Sequence, residues 1–116
     1  MNVFVLSTGR SGTFTFIKAC EYIENYTAGH ESRPGCIGRK RFKYPNNHIE
    51  ADNRLSWLLG RLHEEYGDNA YYVHLIRDTN EVVSSFERRY GRGIIEVYQK
   101  GIHYGVGEVS PRIVCE

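Results

Sequence analysis

Apolar runs and segments with helical spacing alternate along the first ninety positions of the chain. Residues 3–7 form a short, mostly apolar run, which is typical of a strand buried on both faces. From residue 13 to about 25, apolar residues recur at spacings of three and four, which predicts a helix. Residues 26–29 predict a second short strand. The chain is therefore expected to begin with a strand, a helix and a strand.

After residue 30, the spacing of apolar residues is less regular. Residues 31–45 contain two prolines and two glycines without any period, which predicts an irregular segment. A long helix is predicted from Asn46 or Asn47 to about residue 66, and a strong strand over residues 70–76. Asp78, with Glu81 three residues later, predicts the start of another helix, which Gly91 and Gly93 would end.

The order of strands and helices predicts an α/β fold. We expect a three-layer P-loop-type architecture in which a small parallel sheet is flanked by helices. Residues 1–93 would form the core, and residues 94–116, which show little periodicity, an irregular C-terminal tail of the same single domain. In such sheets ligands bind beyond the carboxyl ends of the strands.

Length, net charge and cysteine content bear on the partners and the location of the protein. The chain has 116 residues and a net charge of +1, so its overall charge favours neither nucleic acid nor membrane as a partner. No signal peptide and no apolar run of membrane-spanning length is evident. The three cysteines lack metal-site spacing and suit a reducing compartment, so the cytoplasm is the expected location.

The segment "STGRSGT", which follows the first predicted strand, indicates an anion-binding loop. Gly9 and Gly12 permit a tight turn, so that backbone N–H groups and the start of the next helix can converge on an anion. Arg10 adds a permanent positive charge whose planar fork suits phosphate or sulfate oxygens. Further hydroxyl donors come from Ser11, Thr13 and Thr15.

The loop departs from the motif of nucleotide triphosphatases, G-x-x-x-x-G-K-[ST]. Ser7 occupies the first glycine position, Thr13 the lysine position and Phe14 the position of the magnesium ligand. These differences disfavour a metal-dependent ATPase or GTPase, and no metal site is expected. The alternative is a glycine-rich turn without any ligand.

A second polar pair follows the strand predicted at residues 70–76. Arg77 ends that strand, and Ser85 lies eight residues later, about two turns into the next helix. The two side chains can converge on one anion beside the first loop. Alternatively, Arg77 simply pairs with Asp78 or Glu81.

Together, "LSTGRSGTF" and "VHLIRDTNEVVSSF" resemble the sulfotransferases that use 3′-phosphoadenosine 5′-phosphosulfate (PAPS). The motifs are most similar to the branch that includes the tyrosylprotein sulfotransferases and bacterial proteins with an R-S-G-T loop. The resemblance covers residues 2–90, and it implies a P-loop-type fold with PAPS as the co-substrate and without a metal.

The resemblance also implies roles for individual residues. Loop residues would hold the 5′-phosphosulfate, and Arg77 with Ser85 the 3′-phosphate. In "TAGHESRPG", Glu31 matches the catalytic base of that branch, and His30 is a second candidate. Arg10 would also stabilise the transition state. The loop residues that the resemblance assigns to the co-substrate are Gly9, Arg10, Ser11, Gly12, Thr13, Phe14 and Thr15.

Two departures from the family keep other functions open. Phe14 stands where the family usually has a hydroxyl, and the chain is about half as long as the common family domain, which makes a homodimer plausible. The expected acceptor is a small molecule, a carbohydrate or a peptide. The alternatives are a non-catalytic nucleotide- or anion-binding module derived from a sulfotransferase, and a divergent kinase of small molecules or nucleotides. A simple ion pair between Glu31 and Arg33 is the alternative to a catalytic Glu31.

Overall fold

The computed structural model describes residues 1–90 and 92–115. These residues form two compact units. The first unit holds Met1–Ser7 and Gly12–Leu75, and the second holds Thr8–Ser11 and the described residues from Ile76 onward.

The first unit contains a four-stranded sheet in the order β2-β3-β1-β4, and every pair of neighbouring strands is parallel. The α/β class and the parallel sheet predicted from the sequence are therefore confirmed. The strands are β1 (Asn2–Leu6), β2 (Thr27–His30), β3 (His48–Ala51) and β4 (Ala70–His74).

Helical segments cover both faces of this sheet, because the apolar side chains of β1 point alternately to the two sides. Val5 packs with Ile17 of the first helix on one face, whereas Phe4 packs with Leu55 and Leu62 on the other. Each such burial stabilises the unit by about 1.5–3 kcal/mol. The helical segments of the first unit are α1 (Thr13–Cys20), α2 (Leu59–Tyr66) and the 3₁₀ segments Gly38–Phe42, Asn53–Trp57 and Gly67–Asn69.

The long helix predicted from residue 46 or 47 to 66 is wrong in its first half. His48–Ala51 is instead a fully buried strand, the 3₁₀ segment Asn53–Trp57 follows it, and the helix begins only at Leu59. Glu50 lies on this strand with none of its surface exposed. Its carboxylate is hydrogen-bonded to His48 of the same strand and to Ser32, which follows β2 by two residues.

The second unit contains three helices, α3 (Thr79–Glu87), α4 (Ile94–Gly101) and α5 (Pro111–Cys115). The acidic start of α3 is as predicted, since the Asp78 carboxylate accepts the backbone N–H of Glu81 at 3.0 Å. Gly91, expected to help end this helix, lies outside the described residues.

The expectation of an irregular tail after residue 93 is wrong, because α4 and α5 occupy much of it. Its apolar residues pack against α3: Ile94 and Ile95 join Val82 and Phe86 in one buried cluster. Glycines and the short helix lengths hide this periodicity in the sequence.

Gly29 of β2 offers a test of how tightly the sheet is packed. A Cβ atom there would lie 2.7 Å from Glu50 Oε2 and 3.1 Å from the His48 ring, which are both buried and hydrogen-bonded. We expect Gly29→Ala to lower the free energy of unfolding by about 1–3 kcal/mol, as other overpacked sites do. Urea unfolding measures this. Gly35→Ala, where a Cβ would meet open space, is the control and should be close to neutral.

Candidate functional site

The loop after β1 makes the tight turn that its glycines predicted. Gly9, Arg10 and Gly12 all have left-handed φ angles, of 89°, 56° and 86°. Gly12 precedes α1 and offers no side chain to cap the first N–H groups of that helix. Uncapped N–H groups at a helix start favour an anion. Arg10 is not a glycine, so its left-handed backbone carries strain of the kind that is concentrated at binding sites.

Three of the predicted binding residues come together in the second unit, and we call them the arginine–serine cluster: Arg10, Arg77 and Ser85. The Arg10 Nε atom donates to Ser85 Oγ at 2.8 Å, although the two residues are 75 positions apart. Arg77 donates from Nη1 to the backbone carbonyl of Arg10 at 3.1 Å. Its Nε also donates to Glu81 Oε2 at 2.8 Å, so the simpler pairing expected for Arg77 exists beside the contact with the loop.

The arginine–serine cluster carries an excess of positive charge. Partial burial, followed by the charges of Arg89, Arg77 and Arg88, lowers the pKa of Arg10. Arg88 and Arg89 were missed in the sequence, although they lie three and four residues after Ser85 and so continue the same helical face. Like charges gathered in this way repel one another, and a bound anion would relieve that repulsion.

The other residues assigned to the loop make contacts of different kinds. Ser11 Oγ donates to the carbonyl of Gly9 at 3.1 Å. Thr13 Oγ1 lies 3.2 Å from His30 Nε2, and the Phe14 ring meets the His30 ring edge-on, with centroids 5.7 Å apart. His30 therefore contacts the start of α1, and Phe14 supports it. Thr15 is exposed.

Glu31 lies directly after β2, and its carboxylate forms an ion pair that the sequence did not predict. Its Oε2 atom lies 3.3 Å from Arg54 Nη1. Arg33, the partner considered in the sequence, instead donates to the carbonyl of Lys40 at 3.3 Å and lies over the ring of Tyr44. Arg54 was missed because no local spacing links it to Glu31.

Asp52 and Arg41 form a buried ion pair next to this position, and neither was singled out in the sequence. An Arg41 guanidinium nitrogen pairs with Asp52 Oδ2, while Asp52 Oδ1 accepts the backbone N–H of Arg54 at 2.9 Å. Burial acts to lower the pKa of Arg41, but the hydrogen bond and charge of Asp52 outweigh it and raise that pKa. Asp52 thereby fixes the start of the 3₁₀ segment that carries Arg54.

A hydrogen-bonded chain, with the buried His48 and Glu50 at its centre, joins β2, β3 and the residue after Glu31. Thr27 Oγ1 lies 2.7 Å from His48 Nδ1, and His48 Nε2 lies 2.9 Å from Glu50 Oε2. Glu50 also accepts the backbone N–H of Ser32 at 2.7 Å and its hydroxyl at 2.6 Å. Burial acts to raise the pKa of Glu50, but the hydrogen bonds from His48 and Ser32 outweigh it and lower that pKa.

The residues described above include groups suited to binding an anion and groups suited to accepting a proton. The arginine–serine cluster offers guanidinium and hydroxyl donors to an anion with several oxygens. In the first unit, Glu31 and His30 are neighbouring groups that can accept a proton. Among the residues that the structure describes, no group of three or more His, Cys, Asp or Glu side chains could hold a metal ion.

The hydrogen bonds of Glu50 make the stability of the protein depend on pH. The folded-state pKa of Glu50 is below its ordinary value of 4.5, so its contribution is complete above that value and is lost as the pH falls through the folded pKa. We therefore expect the free energy of unfolding to fall more steeply below about pH 4.5 in the native protein than in Glu50→Gln. Urea unfolding between pH 6 and pH 3 tests this, and equal slopes would contradict it.

Comparison with known proteins adds no relative. No family model, no curated protein and no solved structure matches the chain. No helix among the described residues is long and apolar enough to cross a membrane. The sulfotransferase family that the motifs resemble thus stays a prediction from the sequence.

Proposed function

We propose that the protein transfers a sulfuryl group from PAPS to a hydroxyl or amine of an acceptor. The observation that carries this proposal is the arginine–serine cluster. The resemblance to sulfotransferases assigns Arg10, Arg77 and Ser85, from two distant motifs, to one nucleotide. The folded chain joins these residues through hydrogen bonds of 2.8 and 3.1 Å.

The charge of the cluster suits a donor that carries phosphates. Arg77 and Ser85 would hold the 3′-phosphate, whereas Arg10 and the N–H groups of the loop would hold the 5′-phosphosulfate. The Arg77–Glu81 ion pair is largely exposed and therefore weak, so Arg77 can exchange its carboxylate partner for a phosphate at little cost. Ser85 is buried, and its hydroxyl is already aligned by Arg10.

The chemical step requires a base and stabilisation of the leaving group. The acceptor oxygen or nitrogen forms a bond to sulfur and gives its proton to Glu31 or His30. The bond between sulfur and the 5′-phosphate oxygen breaks, and its electron pair stays on the departing 3′-phosphoadenosine 5′-phosphate (PAP). The positive charge of Arg10 and the loop N–H groups stabilise the charge on that oxygen.

Two other functions remain as outcomes of the tests. A divergent kinase would bind ATP with magnesium, but the loop has neither the lysine nor the magnesium ligand that the triphosphatase motif supplies. A non-catalytic module would bind PAP without moving a sulfuryl group.

Nucleotide binding is the first prediction. We expect calorimetry to show binding of PAP that needs no metal, and Arg77→Ala to weaken it about 10- to 100-fold, because a charge-assisted hydrogen bond to phosphate is lost. Ser85→Ala should weaken PAP binding less, because a neutral donor is removed. Arg61→Ala, which removes an exposed arginine paired with Glu64, is the matched control and should leave the affinity unchanged.

The comparison nucleotides decide between the functions. Adenosine 5′-monophosphate lacks the 3′-phosphate, so it should bind more weakly than PAP and should lose less affinity on Arg77→Ala than PAP does. Tight, magnesium-dependent binding of ATP in place of PAP would overturn the proposal in favour of a kinase.

The identity of the base is the second prediction. With ³⁵S-labelled PAPS as the donor, and water and 4-nitrophenol as acceptors, we expect Glu31→Gln to lower kcat by about 10²- to 10⁴-fold, the usual contribution of a general base. His30→Ala should lower kcat less, because His30 Nε2 is already engaged by Thr13. Full turnover by Glu31→Gln would move the role to His30.

A further inference from the structure

The 3₁₀ segment after β3 contains two neighbouring polar atoms that are buried and lack a hydrogen bond. Within residues 1–90 and 92–115, these are Asn53 Oδ1 and Arg54 Nη1. Buried polar atoms are nearly always hydrogen-bonded, so each exception calls for an explanation. Arg54 Nη1 instead forms ion pairs, with Glu31 Oε2 at 3.3 Å and with Asp52 Oδ1 at 4.0 Å.

The backbone of Glu31 is also held in an uncommon conformation. Its φ angle is 48°, in the left-handed region that residues with a side chain rarely adopt. The N–H of Glu31 donates to the Ala51 carbonyl at 2.9 Å, and both the N–H and the hydroxyl of Ser32 donate to buried Glu50. Hydrogen bonds on both sides therefore hold the strained residue in place. Strain maintained in this way is concentrated at functional sites.

The backbone of Arg54 is held from the opposite side. Its backbone N–H donates to Asp52, and Arg41 neutralises the other oxygen of that carboxylate. Charges therefore alternate along a chain from Arg41 through Asp52 and Arg54 to Glu31. Asp52 is fully buried, whereas the side chains of Arg54 and Glu31 are 31% and 37% exposed. The chain thus runs from the interior to the candidate base.

We propose that Arg54 is a positioning residue that fixes the direction of the Glu31 carboxylate for proton transfer, an inference that rests on the proposed sulfuryl transfer. The guanidinium is planar and permanently charged, so it holds one carboxylate oxygen while the other stays available to the acceptor. Ordering a base before the reaction raises the rate because misplacement by about 1 Å can cost 10²-fold.

The experiment compares Arg54→Ala, Arg54→Lys and Glu31→Gln with the double variant that carries Arg54→Ala and Glu31→Gln. The assay is the transfer of ³⁵S-labelled sulfuryl from PAPS to water and to 4-nitrophenol. We expect Arg54→Ala to lower kcat about 10- to 100-fold and to leave the KM for PAPS unchanged. Arg54→Lys should recover part of the loss, because it keeps the charge without the planar fork.

The double variant separates positioning from a merely structural role. If Arg54 acts through Glu31, Arg54→Ala causes no further loss of kcat once Glu31 is glutamine. The inference is overturned if Arg54→Ala retains the native kcat, or if it lowers kcat by the same factor in both backgrounds. Arg61→Ala is the control for loss of one arginine and should keep full turnover.

Unfolding in urea tests the contact without any reaction. The native protein, Arg54→Ala, Glu31→Gln and the double variant are compared. The shift in urea midpoint of the double variant should be smaller than the sum of the two single shifts, because both substitutions remove the same ion pair. Additive shifts would overturn the inference even if transfer occurs. Conversely, a native protein that moves no sulfuryl group refutes the proposed function, and coupled midpoints would then show that the Arg54–Glu31 pair exists without that role.

Discussion

The first unit depends on protein partners for two carboxylates that lie wholly inside it. Glu50 and Asp52 have no exposed surface, and an uncompensated charge at such positions would cost several kcal/mol. Their partners must therefore be in place whenever the unit is folded. His48 and Ser32 satisfy Glu50, and Arg41 pairs with Asp52.

These buried pairs are better understood as determinants of register than as sources of net stability. Buried ion pairs often contribute no more than apolar residues of the same volume would, but breaking one is costly. A shift of β3 by one residue would turn Glu50 and His48 together towards the other face of the sheet and would separate Glu50 from Ser32. The pairing of Gly29 with Glu50 in the sheet, and hence the place of Glu31, follows from this requirement.

The sequence revealed those parts of the fold whose signals are local. Val3–Ser7, the acidic start at Asp78 and the loop with Arg10 each carry their own pattern, and Arg77 with Ser85 was found through a recognisable spacing. It failed at β3 because Glu50 and Asp52 interrupt the apolar run that marks a buried strand. Arg54 was missed for a related reason, since its partner Glu31 is close only after β2 and β3 have paired.

The buried carboxylates of the first unit and the arginine–serine cluster differ in how far protein groups balance their charge. Buried carboxylates in the first unit have their hydrogen-bond capacity filled by protein groups, so they serve to hold backbone and side chains in place. In the arginine–serine cluster, Arg10 has a hydroxyl and nearby arginines as neighbours, and the repulsion among these cations is balanced only in part. An anion with several oxygens would complete that balance, which is why affinity for a phosphorylated donor is expected there. Under the proposed function, stability and binding depend on different charges of the same chain. Arg54 then connects the buried Asp52 to Glu31, the proposed base.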